Sequence, residues 1–271
     1  MDDLDLEQIS GNIHTSWLGR TMVIAESLDS TNSWLKERAE EGSAKDGTVV
    51  IARMQTGGRG RLGRSFHSPE GGLYMSFFIR NPNSKMDASL ATIAAALSAR
   101  DAIEKLCGRR PSLKWVNDVY MGDKKIGGIL VEGKYDPAGR TMDHLIIGIG
   151  INVSIMEFPA EIRGIASSIL AETGTLINRS QLAACIADNL ETRIRETLEY
   201  PERLVEEYKG SLMYIGHEIS VHSGGKVRPA RLVGVDKKGG LIVRYLDAEV
   251  EETSVISSGE VTIRGGAGHG A

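Results

Sequence analysis

The spacing of hydrophobic and polar positions changes several times along the chain, and the order of these patterns predicts an α+β fold. Apolar residues recur at helical spacing from Leu90 to Leu106, between a capping residue, Asp87, and a stop residue, Gly108. Ser30 or Thr31 can cap a second helix that ends at Gly42. Two further helices are predicted, one capped by Ser180 and carrying apolar positions up to Leu198, and one that starts at Pro201 and runs through Tyr208.

Short apolar runs bounded by turn residues predict the strands of a mixed sheet with flanking helices. These runs cover residues 49–52, 73–79, 113–121, 125–132 and 145–153. Gly122-Asp123-Lys124 has the composition of a hairpin turn between the third and fourth runs. After Gly210 come four short runs separated by glycine-rich turns, which predict a small antiparallel β-barrel. We therefore expect an α+β domain over residues 1–210, a barrel over 211–264 and a disordered tail over 265–271.

Composition and charge narrow the class of protein. The chain has 271 residues and a net charge of −4, which argues against non-specific nucleic-acid binding over the whole surface. Two cysteines do not make a disulfide framework, and no apolar run is long enough to cross a bilayer. The acidic first residues lack a secretory pattern, so we expect a soluble cytoplasmic protein with no membrane partner.

A loop rich in glycine and arginine is the strongest chemical signal. Between residues 53 and 69 there are four arginines, no acidic residue and four interleaved glycines. Glycine lets backbone N–H groups approach an anion, and arginine adds paired donors for carboxylate or phosphate. Gly58, Gly60 and Gly63 formally match the dinucleotide fingerprint, but no helical pattern begins there. The alternative is a mobile, solvated basic loop.

Two further stretches carry polar groups in apolar surroundings. Asn117 and Asp118 interrupt a predicted strand, which is costly unless both find partners, although local turn hydrogen bonding is an alternative. Lys124 and Lys125 lie on opposite faces of the returning strand, so one can point inward beside Gly127-Gly128, or remain a turn lysine in water.

Gly148-Ile-Gly-Ile-Asn152 ends a strand in glycines and a lone amide, which is also typical of a plain strand terminus. Other constellations are missing from the sequence. The six histidines show no metal-ligand spacing, no nucleophile elbow is present, and Cys107 and Cys185 lie within helical patterns as packing residues.

Together and in this order, these stretches resemble biotin protein ligases. The resemblance rests on four blocks: DSTN, GGRGRLGRSFHSPEGGLYMS, KWVNDVYMGDKKIGGILVE and IGIGINV. It covers most of residues 17–153, and it implies a catalytic domain like that of biotin ligases and class II aminoacyl-tRNA synthetases, followed by an SH3-like barrel. Phe66 stands where some relatives carry tryptophan. Only about 29 residues precede Ser30, too few for a DNA-binding winged-helix domain, so no DNA partner is expected.

The resemblance implies an enzyme that joins biotin to ATP as biotinyl-5′-AMP, releases pyrophosphate and passes biotin to a lysine of a biotin carboxyl carrier protein. Arg61 and Lys125 would be catalytic. The implied biotin-binding residues are Ser30, Thr31, Asn32, Gln55, Gly58, Arg59, Gly60, Arg61, Tyr74, Lys125, Gly128 and Gly148. The implied ATP-binding residues are Arg61, Arg64, Phe66, Lys114, Asn117 and Asn152.

The same resemblance implies magnesium carried by ATP, with no protein-only metal site, and a homodimer. Three rivals stay open: a lipoate or octanoate ligase of the same fold, a non-catalytic module that binds biotin, and a nucleic-acid-binding protein. The first would not need the arginine loop. The second would have no reason to keep Arg61, Arg64, Lys114 and Lys125 together, and the acidic chain argues against the third.

Overall fold

The computed structural model describes residues 3–81, 85–135, 142–223, 225–247, 252–257 and 260–263. Its larger sheet has seven strands in the order β1-β2-β3-β7-β6-β5-β4. Their bounds are β1 Thr21–Leu28, β2 Thr48–Gln55, β3 Gly72–Arg80, β4 Ser112–Lys114, β5 Asp118–Met121, β6 Lys124–Tyr135 and β7 Met142–Asn152. The pair β1–β2 is parallel and the other pairs are antiparallel, so the expected mixed sheet is confirmed.

Six helices flank the two sheets in the described ranges. They are α1 Leu6–Asn12, α2 Thr31–Glu40, α3 Ala88–Cys107, α4 Ile169–Thr173, α5 Arg179–Glu199 and α6 Pro201–Ser211. Ser30 and Asp87 cap α2 and α3 as predicted, and Gly108 ends α3 in the left-handed conformation that favours glycine. The main core includes buried residues of α3 and α5, whereas Leu35 of α2 belongs to a smaller cluster with Phe78 and Ile146.

Two details of the sequence prediction are wrong. Residues 113–121 form two antiparallel strands, β4 and β5, because the backbone reverses direction at residues 115–117. Asn117 therefore lies in a turn, while Asp118 begins β5. Asn178, rather than Ser180, caps α5 by accepting from the N–H of Gln181, and Ser180 lies inside the helix and binds the backbone near Asp3.

The C-terminal residues form a second, five-stranded antiparallel sheet. Its order is β11-β10-β9-β8-β12, with β8 Glu218–Ser223, β9 Lys226–Val235, β10 Leu241–Tyr245, β11 Thr253–Ile256 and β12 Glu260–Ile263. The sequence pattern missed β11, whose residues alternate between half-buried and exposed. Among the described residues the edge strands β11 and β12 do not pair, so closure into a barrel is not confirmed. The tail over 265–271 lies outside the described residues.

No helix within the described part of the chain is both long and apolar enough to cross a membrane.

Candidate active site

Three central strands form the floor of a pocket. The pairings of β3, β7 and β6 place Tyr74, Gly150 and Gly128 in one row and Ser76, Gly148 and Leu130 in the next. Side chains alternate between the two faces of a strand, so these rows lie on the face opposite the buried core of α3 and α5. The pocket therefore lies on the same face of the sheet that α2 packs against through Leu35.

Because glycine has no side chain, side chains from other elements can approach the backbone of this floor closely. A Cβ at Gly148 would lie 2.3 Å from Oδ1 of Asn32, and one at Gly150 would lie 2.7 Å from the ring of Phe66. At Gly128 the same atom would meet its neighbours at 3.6 Å, which is ordinary contact. At Gly148 and Gly150, the volume that a side chain would need is therefore occupied by Asn32 of α2 and by Phe66 of the glycine- and arginine-rich loop.

The first turn of α2 supplies a buried polar cluster. The side-chain oxygen of Gln55 accepts from the N–H of Thr31 at 2.9 Å and from its hydroxyl at 3.2 Å. Oγ of Ser76 lies 2.7 Å from Oγ1 of Thr31 and 2.6 Å from Oδ1 of Asn32. Asn32 also donates to the carboxylate of Glu132 at 2.8 Å. These mutual bonds fix donors and acceptors at the inner end of the pocket.

The glycine- and arginine-rich loop, residues 57–66, lies over the floor. A three-residue 3-10 turn, Arg61–Gly63, stands where a dinucleotide fingerprint would need a helix. Arg59 pairs with Glu132 at 3.1 Å, and Arg61 makes no ion pair within the described ranges. Phe66 returns to the floor and meets Tyr74 edge to face, with ring centroids 6.4 Å apart. Leu62, at the tip, has a φ of 57° and is 74% exposed.

The opposite wall is the turn that joins β4 to β5, residues 115–117, which we call the site turn. Lys114 precedes it, and Asp118 follows it and pairs with Lys125 at 2.6 Å. Nδ2 of Asn117 donates to the carbonyl of Ile129 at 2.6 Å, and the N–H of Ile129 returns a bond to the carbonyl of Asn117 at 2.8 Å. Of the two turn lysines, Lys125 is the one that lines the pocket, while Lys124 binds the carbonyl of Gly164.

Most of the residues predicted from the sequence line this pocket. They are Ser30, Thr31, Asn32, Gln55, Arg59, Gly60, Arg61, Arg64, Phe66, Tyr74, Lys114, Asn117, Lys125, Gly128 and Gly148. Gly58 and Asn152 are not among the lining residues. Gly58 is buried beneath the loop, where a Cβ would lie 2.3 Å from the carbonyl oxygen of Phe66. Asn152 is buried at the end of β7 and donates to the carbonyl of Ser167.

Sequence reasoning missed several residues of the site. Trp115, Asp118, Leu130 and Gly150 line the pocket, and Glu132 holds both Asn32 and Arg59. The two-residue period of a strand was a usable signal, because Gly150 follows Gly148 and Leu130 follows Gly128 on one face. Trp115 and Asp118 line the pocket because the backbone reverses at the site turn, which Asn117-Asp118 indicated in the sequence only as the alternative to a continuous strand.

The pocket carries an excess of positive charge. Among the described residues, its lining includes the cations of Arg59, Arg61, Arg64, Lys114 and Lys125, against the one carboxylate of Asp118. Burial raises the pKa of Tyr74 above its usual range, so its hydroxyl stays a neutral donor to the carbonyl of Pro69. No cluster of three metal-ligating side chains occurs within the described ranges. The arrangement suits an anionic ligand that approaches between the loop and the site turn.

Comparisons with known proteins agree with this geometry. The profile of the biotin/lipoate A/B protein ligase family matches residues 24–152. The chain is 30% identical over 246 residues to the bifunctional ligase/repressor BirA of Bacillus subtilis, covering 89% of this chain and 74% of that protein. It is 29% identical over 248 residues to the biotin–[acetyl-CoA-carboxylase] ligase of Mycobacterium tuberculosis, covering 89% of this chain and 88% of that one. The solved biotin protein ligase of Aquifex aeolicus, in complex with biotin and ATP, superimposes with a TM-score of 0.76 at 32% identity, covering 90% of this chain and 99% of that one.

Proposed function

The chain belongs to the biotin/lipoate A/B protein ligase family, and on that premise we propose that it is an ATP-dependent biotin protein ligase. It activates biotin as biotinyl-5′-AMP, releases pyrophosphate and transfers the biotinyl group to a lysine of a biotin carboxyl carrier protein. One observation carries the proposal above the others. A single pocket joins a neutral polar cluster at the start of α2 to five cationic side chains.

The neutral end of the pocket suits biotin. The ring of biotin offers uncharged donors and acceptors, which the cluster of Thr31, Asn32, Gln55 and Ser76 can match without a buried ion. The glycine floor provides a flat surface beside it, and Tyr74 gives the ring an apolar wall. Phe66, which meets Tyr74 edge to face, keeps its proposed role of packing on adenine. We propose roles in biotin binding for the twelve residues that the resemblance implied, of which Gly58 acts by letting the loop pack closely rather than by touching the ligand.

The charged end suits the nucleotide and the reaction. A carboxylate that attacks an α-phosphate brings two anions together, so neutralising and positioning them is the main task of the site. We propose that Arg61 and Lys125 neutralise the reacting centre, while Arg64, Lys114 and Asn117 hold the triphosphate. The biotin carboxylate is already ionised at neutral pH, so this step needs no general base.

Asn152 and magnesium are the less direct parts of the proposal. Asn152 shares the pocket face of β7 with Gly150, and its Oδ1 is buried without a partner in the described part of the chain, which supports a role in holding adenine. Magnesium would arrive on the phosphates and mask their remaining charge. Asp118 lines the pocket, and its carboxylate is the group that would be available to the ion there.

Other features of the protein also belong to the proposal. We propose a cytoplasmic homodimer that recognises a biotin carboxyl carrier protein, and an SH3-like barrel built from the C-terminal strands. The division at residue 210 is supported by the change from one sheet to the other, because β8, the first strand of the second sheet, begins at Glu218.

The test is ATP–pyrophosphate exchange with magnesium, measured with biotin, with lipoate and with neither. We expect exchange that depends on biotin. Exchange with lipoate alone would keep the family and overturn the substrate. Biotin binding without exchange would favour a sequestering module and contradict the roles given to Arg61 and Lys125.

A further inference from the structure

A buried tyrosine that does not line the pocket holds the backbone of the site turn. The hydroxyl of Tyr208, on α6, donates to the carbonyl of Val116 at 3.0 Å. Tyr208 is 1% exposed, and its bond reaches across 92 positions of sequence. Lys114, Trp115, Asn117 and Asp118, which flank Val116 on both sides, all line the pocket.

The helix that carries Tyr208 is itself anchored next to this residue. The carboxylate of Glu207 accepts from Arg100 at 2.5 Å and from Arg193 at 2.6 and 2.8 Å, which ties α6 to α3 and α5. Arg100 is 1% exposed, so the guanidinium on the α3 side of this network is buried. The position of the Tyr208 hydroxyl is therefore set by three helices rather than by one.

A second anchor holds the site turn from another direction. Nε1 of Trp115 donates to the carbonyl of Gly239, in the turn between β9 and β10, at 2.9 Å. With the bonds between Asn117 and Ile129, every residue of the site turn has a partner on a different element. A turn held at three consecutive residues has little freedom to rotate its side chains away from the pocket.

The surroundings of Tyr208 show that its hydroxyl is more than filler in an apolar core. Burial raises the pKa of Tyr208 above its usual range, the charge of Asp118 raises it further and that of Arg61 lowers it. The hydroxyl therefore remains a protonated donor throughout the neutral range. A phenylalanine would fill the same volume, but would leave the carbonyl of Val116 without this donor.

We propose that Tyr208 is a positioning residue for the adenylation step, and this inference rests on the function proposed above. Through the carbonyl of Val116 it sets the site turn, and through the site turn it directs Lys114 and Asn117 to the phosphates of ATP. Tyr208 itself touches neither substrate. Its loss should therefore affect the nucleotide end of the pocket and spare the biotin end, whose polar cluster is built on α2, β2 and β3.

The experiment compares Tyr208→Phe with wild type in biotin-dependent ATP–pyrophosphate exchange. We expect kcat/KM for ATP to fall about fivefold to tenfold, as for one lost hydrogen bond. The Kd for biotin, measured by calorimetry without ATP, should stay within about twofold. Tyr214→Phe is the matched control, since it removes a half-buried tyrosine hydroxyl that does not bind the site turn, and it should leave both constants unchanged.

A double-mutant cycle with Asn117→Ala separates positioning from a general loss of stability. If Tyr208 acts through the site turn, the two changes should be less than additive on kcat/KM for ATP. Additive effects, equal losses for ATP and biotin, or an unchanged Tyr208→Phe variant would each overturn the inference. Wild-type protein without exchange would instead contradict the proposed function.

Discussion

The two walls of the pocket are held in opposite ways. Between Arg59 and Ser65 the loop makes backbone hydrogen bonds to itself, from Gly60 to Arg64 and from Arg64 to Arg61, and Arg59 forms an ion pair with Glu132. The site turn makes side-chain or backbone bonds to β6, α6 and the second sheet. The backbone bonds of the first wall stay within the loop, whereas each residue of the second wall is bonded to a different element.

This difference matches the two tasks of an adenylating site. Substrate must enter and product must leave, so one wall needs weak ties that a ligand can replace. The phosphates must also be held in a fixed geometry during attack, so the other wall needs strong ties.

The glycines predict that residues 57–67 become ordered by ligand, and protection of this loop from protease by biotin plus ATP would test it.

The largest expected effect is on the loosely held wall. Arg61→Ala should lower the rate of biotin-dependent exchange about 100-fold or more, because a charge aimed at the transition state is lost. Since Arg61 makes no ion pair in the described part of the chain, the melting temperature should barely move. Exchange kinetics and thermal unfolding measure the two effects.

Arg195→Ala, which removes an exposed arginine of α5, is the control for charge alone. The Arg61 variant should also release more biotinyl-5′-AMP into solution, because a closed loop protects the adenylate from water. Unchanged retention of the adenylate would contradict the idea that this wall closes over the intermediate.

The next largest effect is on the free energy of unfolding. It tests whether a stabilising interaction far from the pocket also alters substrate binding. Glu191 of α5 accepts from the N–H groups of Ser16, Trp17 and Leu18. Burial raises the pKa of Glu191, but these bonds and the Ser16 hydroxyl outweigh it and lower the pKa to about 2. Glu191→Gln should cost about 2–3 kcal/mol of unfolding free energy at pH 7, as for lost bonds to a charged group.

The pH dependence follows from the sign of this shift. A carboxyl with a lowered pKa stabilises the fold above its ordinary value of 4.5, and this contribution disappears as the pH falls toward 2. The gap between wild type and Glu191→Gln should therefore narrow over that range in denaturant titrations. Glu199→Gln, at an exposed position of the same helix, is the control. A changed KM for ATP in the Glu191 variant would contradict the view that the site turn is held by its own local bonds.

The floor between the walls gives a matched pair of substitutions. Gly150→Ala brings a methyl within 2.7 Å of Phe66 and should push the loop outward, weakening biotin binding about tenfold, as for an overpacked site. Gly128→Ala, with neighbours at 3.6 Å, should cost less. Calorimetry gives the Kd for biotin of both variants. Equal losses of affinity would show that these glycines are needed for backbone conformation and not to leave space for Phe66.

The smallest expected effect is on the strongly held wall. Trp115→Phe keeps the aromatic ring but removes its bond to Gly239, so KM for ATP should rise about threefold to tenfold. Trp34→Phe, at a half-buried tryptophan that stacks with Arg38 on α2 and makes no bond to the site turn, is the control and should leave KM for ATP unchanged. A larger rise in KM for biotin would contradict the assignment of the site turn to the nucleotide.

Local signals in the sequence predicted much of the fold and of the loosely held wall. Caps at Ser30 and Asp87 and the stop at Gly108 act over one helical turn, so they can be recognised without knowing what the helix touches. The arginines and glycines of the loop are likewise adjacent in sequence, and the strand period relates Gly148 to its neighbours.

The strongly held wall could not be predicted because its bonds are long-range. Nothing near Trp115 indicates a partner at Gly239, and nothing near Val116 indicates one at Tyr208. The reversal of residues 115–117 was hidden because apolar residues on both sides of it read as one strand. Glu132 was missed for a similar reason, since its partners Asn32 and Arg59 come from two distant segments.

The bond from Trp115 to Gly239 limits how freely the C-terminal strands could be replaced by those of another protein. Gly239 has a φ of 80°, and a Cβ there would lie 2.4 Å from Ile93 of α3, so the donor, the turn and the helix under it must suit one another. A C-terminal module taken from another protein would have to present a carbonyl at the same point. Because Trp115 lines the pocket, a chimera joined near residue 210 would keep the site turn in place only if its C-terminal strands supplied this carbonyl.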